Sequence, residues 1–328
     1  MKKFLLSALV LFIILSGCGT GDLNNHLPKE LEEVRIGVIQ SMHHNSLDES
    51  YRGFKDELVS HGVSEDSFEY LVAGDLSNCT TVADKLVNSN HDLICAISTP
   101  ALQAVAAATT NLPIVGCAIT DYELSRLIES NENPNGHITG ASDLTPIKEQ
   151  FELLTELLPD AKKVAILFCN GEENSLIQGA IAVDAAKQMN LDYKVYTVSE
   201  SNEIQTVTEK ICNDGNDVIY IPTDNLLATN MSSVEGIASE YQVPIIAGSN
   251  SMVEDGSYAS LGLDYYKLGR EAGKQALAIL NGEKTAANTP IAYLTAEDCQ
   301  LIVNLNTAKK CGLSLNKADY PENTKFVE

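Results

Sequence analysis

Short apolar runs alternate with amphipathic stretches along most of the chain. Val34 to Ile39, Asp92 to Ile97, Pro113 to Ile119, Val164 to Phe168, Asp217 to Ile221 and Val243 to Ala247 are each a few residues long and almost continuously apolar. Runs of this length read as strands buried on both faces, and strands spaced by helical segments build a parallel α/β sheet. Between the first two runs, Leu47, Tyr51, Phe54 and Leu58 share one helical face. Ser46 and Glu49 are placed there for a capping box, and Gly62 for the C-terminal cap.

The runs also repeat. Asp92-Leu-Ile-Cys-Ala-Ile-Ser-Thr-Pro is echoed 125 residues later by Asp217-Val-Ile-Tyr-Ile-Pro-Thr-Asp. Pro113-Ile-Val-Gly-Cys-Ala-Ile is echoed after 131 residues by Pro244-Ile-Ile-Ala-Gly-Ser-Asn, and Ile36 after 130 residues by Ile166. Buried strands resemble one another in any case, but shared order and near-constant spacing predict more. They predict two doubly wound parallel-sheet lobes of similar build, joined by a hinge.

In open α/β sheets, ligands bind beyond the carboxyl ends of the strands. Those ends read Gln40-Ser41, Ser98-Thr99-Pro100 before Ala101, Thr120-Asp121, Asn170 with Glu173-Asn174-Ser175, Thr223-Asp224-Asn225, and Ser249-Asn250. They are small and polar, and together look like a binding cleft. Thr99 followed by Pro100 has the form of an N-cap with proline at the first helical position, a helix start that suits a carboxylate or another anion. An α-amino acid needs an anion site and a cation site close together, and Asp121, Asp143 and Asp224 are the acids near strand ends for its ammonium. Tyr265 and the Met42-His43-His44 loop are available to pack a ring. Threonine and aspartate in the same places would also bind sugar hydroxyls.

The chain begins with Lys2 and Lys3, an apolar stretch from Phe4 to Leu15, and then Leu15-Ser16-Gly17-Cys18. The apolar stretch is shorter than the roughly 20 residues of a transmembrane helix. The pattern matches a bacterial lipobox, which predicts a signal peptide over 1–17, lipidation of Cys18 and a tether over 18–33. The protein would then sit outside the cytoplasm, lipid-anchored to the cell membrane, in the periplasm or on the outer face.

A net charge of −23, from 22 basic against 45 acidic residues, excludes nucleic acid and anionic headgroups as partners. Cys79, Cys95, Cys117, Cys169, Cys212, Cys299 and Cys311 are an odd set with no Cys-x-x-Cys, so buried free thiols are expected. No nucleophile elbow, zinc-protease motif, phosphate loop or dinucleotide fingerprint occurs. His43 and His44 are adjacent, and on an extended segment they point to opposite faces, which argues against a metal site. No cofactor and no catalytic group are expected. Glu152, Glu156, Asp184 and Glu203 read as helix surface.

Several further motifs carry a resemblance. They are Leu47-Asp48 with Gly53, Ser98-Thr99-Pro100-Ala101, Thr120-Asp121, Thr139-Gly140 with Ser142-Asp143, Glu173-Asn174-Ser175, Pro222-Thr223-Asp224-Asn225, Leu261 to Arg270, and Val303-Asn304-Leu305 with Ala308. From about Val34 to Leu315 the chain resembles the substrate-binding lipoproteins of ABC importers, in the subfamily of tryptophan- and tyrosine-type binders with the type I periplasmic-binding-protein fold. Tyr122, His137 and Met42-His43-His44 depart from the usual pattern.

The resemblance implies an N-terminal lobe over 34–141 plus 264–289, a C-terminal lobe over 142–263 plus 290–320, and a tail over 321–328. Asp143 and Asp264 would lie at the cleft mouth or hinge. The implied contact set comprises Gln40, His44, Ser46, Ser98, Thr99, Pro100, Ala101, Thr120, Asp121, Ser142, Asp143, Glu173, Asn174, Ser175, Thr223, Asp224, Asn225, Ser249, Asn250, Asp264 and Tyr265. The implied function is capture of a small solute, an aromatic amino acid above others, by a monomer that delivers it to a permease with a separate ATPase. The alternatives are a sugar or nucleoside receptor of the same fold, and a ligand sensor feeding a membrane signalling protein.

Overall fold

A computed structural model of the chain describes residues 30–328. The signal peptide, Cys18 and most of the tether lie outside the described residues. Leu31–Glu33 form a 3-10 turn just before Val34, and Leu31 packs on the first core.

The strands are β1 (Ile36–Gln40), β2 (Phe68–Val72), β3 (Leu93–Ile97), β4 (Ile114–Ile119), β5 (Ile138–Ser142), β6 (Lys163–Cys169), β7 (Asp192–Val198), β8 (Val218–Ile221), β9 (Ile245–Ala247), β10 (Ala259–Leu263), β11 (Ala292–Tyr293), β12 (Cys299–Asn304) and β13 (Lys325–Val327). The helices are α1 (Asn45–Ser60), α2 (Cys79–Val87), α3 (Thr99–Ala108), α4 (Ile147–Leu157), α5 (Glu173–Gln188), α6 (Ile204–Asn213), α7 (Asn225–Thr229), α8 (Met231–Glu240), α9 (Asn250–Glu254), α10 (Tyr265–Leu280) and α11 (Leu305–Lys310). None of the described helices is long and apolar enough to cross a membrane.

One sheet has the order β11-β5-β4-β3-β1-β2 and the other β13-β12-β10-β9-β8-β6-β7. The order β5-β4-β3-β1-β2 is reproduced by β10-β9-β8-β6-β7, so the sequence repeat is a structural one. Pairing is parallel except between β10 and β12. Central strands such as β1 and β3 are buried at every residue, because helices cover both faces of each sheet. Edge strand β7 is mostly exposed, and β2 is half-buried throughout. Neither forms a continuous apolar run, and both are absent from the runs read as strands.

The chain passes between sheets after β5, after β10 and again between β11 and β12. α10 returns to the first lobe and packs on α1. Glycine makes that approach possible: a Cβ on Gly53 would lie 2.0 Å from the Tyr266 carbonyl oxygen, and one on Gly269 would lie 2.1 Å from that of Ser50. The Arg270 guanidinium meets buried Glu57 at 2.6 Å along the same seam.

Four local expectations need correction. The passage to the second lobe does not come at Pro290, since β11 pairs with β5 of the first sheet. Residues 321–328 are not a free tail, since β13 adds to β12. Ser46 and Glu49 form no capping box. His44 holds the cap position of α1, while Ser46 bonds to Ser251 and Glu49 pairs with Arg52. The cap of α3 is Ser98, not Thr99, and Thr99 is already in the first turn. Gly62, with φ of 100°, does close α1 just beyond His61. The cysteines among the described residues are free; all are buried except half-buried Cys299. Burial pushes the Cys117 thiol up to about 12, which keeps it protonated and unreactive.

Candidate functional site: a cavity between the lobes

The carboxyl ends of strands from both sheets meet around one cavity. From the first lobe come His44, Ser46 and Leu47 after β1, Thr99 after β3, Ala118 and Thr120 at the end of β4, Asp143 after β5, and Tyr265 from α10. From the second come Asn174 after β6, Thr223, Asp224, Asn225 and Ala228 after β8, and Ser249 after β9. The space between them is small: about 320 Å³ is free of atoms, a figure that includes the open mouth. Hydrogen bonds between the lobes hold the walls together. Ser46 Oγ lies 2.7 Å from Ser251 Oγ, His44 Nε2 lies 3.1 Å from Asn225 Oδ1, and Asn45 Nδ2 donates to Glu254 Oε2 at 3.0 Å. Gln178 Nε2 donates to Thr120 Oγ1 at 3.1 Å.

The first-lobe wall leaves polar capacity unspent. Ser98 has φ of 91°, an unusual conformation for a residue with a side chain. Its hydroxyl donates to Ser41 Oγ at 2.7 Å and accepts from the Ala101 N–H at 3.5 Å. This bent cap presents Thr99, which is buried and whose Oγ1 has no partner within the protein. Asp143 accepts from the Tyr265 hydroxyl at 2.9 Å and, at 3.5 Å, from that of Thr120. Burial pushes its carboxyl up to about 6. No Lys or Arg lines the cavity.

The second-lobe wall is tightly cross-bonded. Asp224 caps α7 through the Leu227 N–H at 2.8 Å, and accepts from the Cys169 N–H at 2.6 Å and from Ser175 Oγ at 2.7 Å. Behind it is Glu172, fully buried. It accepts from the Leu226 N–H at 3.0 Å, from Asn174 Nδ2 at 3.2 Å and from Asn225 Nδ2. Burial first, then the charge of Asp224, pushes the Glu172 carboxyl up to about 7. Gln178 binds Thr223 through its hydroxyl at 2.6 Å and its carbonyl at 3.1 Å. Asn174 Oδ1 and His44 Nδ1 remain without partners. Burial lowers the His44 pKa, so its ring is neutral at neutral pH.

Residues 35–323 match the family model of the ABC transporter substrate binding protein. The chain belongs to that family. It is a binding protein, not an enzyme. It is 33% identical over 324 residues to a tyrosine-binding protein of Clostridioides difficile (strain R20291), covering 96% of this chain and 92% of that one. Among solved structures it is similar to the ABC domain in complex with L-Trp from Streptococcus pneumonia, with a TM-score of 0.85 at 30% identity, covering 90% of this chain and 99% of that one. It is also similar to the ligand-free, open structure of a substrate-binding protein with adhesive properties from Clostridium difficile. There the TM-score is 0.68 at 31% identity, with the same 90% and 99% coverage.

In this substrate-binding protein, His44, Ser46, Thr99, Thr120, Asp143, Asn174, Thr223, Asp224, Asn225, Ser249 and Tyr265, all among the expected contact residues, line the cavity. Gln40, Ser98, Ser142 and Ser175 stand behind the lining. Gln40 is spent on the Met42 carbonyl, Asp48 and the Tyr70 hydroxyl, which shapes the loop leading to His44. Ser142 Oγ donates to the Thr120 carbonyl at 2.7 Å.

The other expected residues are not brought to the cavity. Pro100 lies in the first turn of α3, and Ala101 is in the core beneath it. Asp121 closes its own turn, accepting from the N–H groups of Glu123 and Leu124. Glu173 is exposed at the start of α5. Asn250 and Asp264 line a separate outer groove, where Asn250 bonds the Gly262 carbonyl and Asp264 caps α10.

Sequence reasoning missed Leu47, Ala118 and Ala228 in the lining, and Glu172 and Gln178 behind it. Glu172 holds the cap position of α5, but its side chain turns to the N–H groups of Asn225 and Leu226 in α7, so no local signal announced it. Ala118 carried none, because its φ of 57° at the β4 irregularity is unannounced by an alanine. The adjacent histidines diverge: His43 pairs with Asp48 at 3.1 Å in solvent while His44 faces the cavity. Tyr266 turns outward, with its hydroxyl on Asp56 and the Arg52 guanidinium over its ring.

Proposed function

We propose that this protein is the extracytoplasmic receptor of an ABC importer for a free aromatic L-amino acid. It encloses that solute between its lobes and hands it to a membrane permease driven by a separate ATPase. The observation that carries the reading is Asp143, a carboxylate buried in the inter-lobe cavity whose side-chain partners are two hydroxyls, with no Lys or Arg of the described residues lining the cavity. A buried carboxylate needs a counter-charge or a proton, and a ligand ammonium supplies the first.

Thr99 Oγ1, unpartnered at the start of α3, suits the ligand carboxylate, helped by the positive end of the helix. Leu47, Ala118, Ala228 and the body of Tyr265 provide apolar wall for a ring. The tyrosine-binding relative and the L-Trp complex support the same ligand class.

Closure of the lobes is the mechanism of capture. The bound-state relative fits this chain better than the open one at nearly equal identity and coverage, which supports a difference in lobe arrangement. The cavity as closed has little spare room, so the solute enters when the lobes part, and affinity follows from the preference of the ligand for the closed form. Lipidation at Cys18 would tether the receptor beside its permease, and Cys18→Ser would release it.

A thermal-shift screen of L-tyrosine, L-tryptophan, L-phenylalanine, other amino acids, sugars and nucleosides tests the ligand class, because a bound ligand raises the melting temperature by mass action. Stabilisation by L-tyrosine or L-tryptophan is expected. Stabilisation by sugars or nucleosides alone would overturn the assignment.

A further inference from the structure

Two buried acceptors on residues that line the cavity, His44 Nδ1 and Asn174 Oδ1, have no partner among the described residues, and both are tied to one carboxylate. Glu172 receives the backbone N–H of Leu226 on Oε1 and the side-chain amides of Asn174 and Asn225 on Oε2. Ionised, above its raised pKa of about 7, this carboxylate can only accept, so both amides must turn their nitrogen towards it and their oxygen away. The Asn225 oxygen is then left facing His44 Nε2 at 3.1 Å, and it bonds only if that nitrogen carries the ring proton. In the neutral ring, Nδ1 is therefore a bare, buried lone pair on a residue that lines the cavity.

We propose that Glu172 is a positioning residue that sets the hydrogen-bond polarity of the binding site, fixing His44 through Asn225 as the Nε2–H tautomer so that His44 Nδ1 and Asn174 Oδ1 both present acceptors to the ligand. The group that meets them must bring hydrogen-bond donors, either the ammonium or a ring O–H or N–H. The ligand part of this proposal rests on the amino-acid reading above; the tautomer part does not.

The relay also predicts what reversal looks like. In Glu172→Gln two backbone N–H groups cannot turn over, that of Leu226 at 3.0 Å from Oε1 and that of Asn225 at 3.4 Å from Oε2; the shorter bond keeps the amide oxygen on Leu226, and nitrogen is presented to the asparagine side chains. Asn174 is held by a second bond from Nδ2 to the Thr223 carbonyl at 3.3 Å, whereas Asn225 Nδ2 has no partner but Glu172. Asn225 flips, its Nδ2 faces His44 Nε2, and the ring proton moves to Nδ1.

Long-range proton–nitrogen spectra of the histidine rings, recorded above pH 7 on the protein saturated with the most stabilising ligand of the screen so that the lobes are closed, with the His44 signals assigned by His44→Gln, read this directly. Wild type is expected to show neutral His44 protonated on Nε2, and Glu172→Gln to show it protonated on Nδ1. Affinity of Glu172→Gln for L-tyrosine and L-tryptophan should fall about tenfold or more, as when a ligand donor meets a donor. L-Phenylalanine and 3-(4-hydroxyphenyl)propanoate separate the two donor sources. If phenylalanine loses as much as tyrosine, the ammonium is the donor; if the propanoate loses as much, the ring hydroxyl is.

Should Glu172→Gln fail to fold, Asn225→Leu cuts the relay at another point and should give a mixture of tautomers. A wild-type ring protonated on Nδ1, or a folded Glu172→Gln protein with an unchanged tautomer, overturns the proposal. Failure of every amino acid to bind while the tautomer switches would overturn the ligand reading and leave the relay standing.

Discussion

The two walls of the cavity hold the same kinds of side chain and use them differently. On the second-lobe wall, Asp224 is saturated by two backbone N–H groups and a serine hydroxyl. On the first-lobe wall, Asp143 has one good hydroxyl donor and one at 3.5 Å. Burial raises both carboxyls; backbone N–H groups of Cys169, Leu227 and Leu226 offset it at Asp224, whereas at Asp143 the only backbone donor is its own N–H. A carboxylate spent on the backbone is part of the fold, and one left short of donors is available to a ligand. On the proposed reading the second lobe is a prebuilt platform, and the first lobe carries the anchor.

The contrast breaks most visibly at Asp143. Asp143→Asn should weaken binding of an aromatic amino acid by about 2–5 kcal/mol, the loss expected when a buried ammonium is deprived of its charge partner. Its melting temperature without ligand should hold or rise, because an uncompensated buried charge has been removed. Calorimetric titration and thermal melts of the same preparation check both halves. Retained binding would move the anchor elsewhere.

The next effect is on pH. Raised carboxyl pKa values mean that the folded state holds protons the unfolded chain has already lost, so these groups make stability fall as pH rises. The window for Asp143 runs from the model-peptide value of 3.8 up to about 6, and for Glu172 from 4.5 up to about 7. Asp143 alone should contribute about 2–3 kcal/mol of that fall. Denaturant melts between those limits should show a flatter profile in Asp143→Asn. Affinity for an amino acid should run the opposite way, weakening as pH drops below about 6 and Asp143 takes up a proton. An affinity flat across that range would contradict the ammonium contact.

The smallest expected effect sharpens the other side. Asp224→Asn places an amide nitrogen among N–H donors, and should cost about 1–3 kcal/mol of stability. Binding should suffer less than in Asp143→Asn. The reverse ranking would exchange the roles of the two walls.

How much of this was legible in the sequence follows from what each feature needs in order to show. The central strands of both sheets announce themselves because burial on both faces forces continuous apolar runs, and their repeated order gave two lobes. β2 and β7 did not, because an edge strand has solvent on one side and mixes in Glu69 or Lys194. β11 and β13 are too short to carry any pattern, which misplaced the last crossing and the tail. At the site, strand-end position was enough to find Thr99, Asp143, Asn174 and Asn225. It could not tell Asp121, which closes its own turn, from Asp143, because the difference lies in which backbone N–H groups are near. Nor could it separate Glu173 from Glu172, where one residue decides between solvent and the core.

The most direct measurement is a crystal structure of the protein with the amino acid that stabilises it most. The account predicts the ligand enclosed between the lobes, its ammonium within hydrogen-bond distance, about 2.7–3.2 Å, of Asp143 and its carboxylate at Thr99 and the start of α3. A ligand seated in the outer groove, or one in the cavity whose ammonium turns away from Asp143, would contradict it.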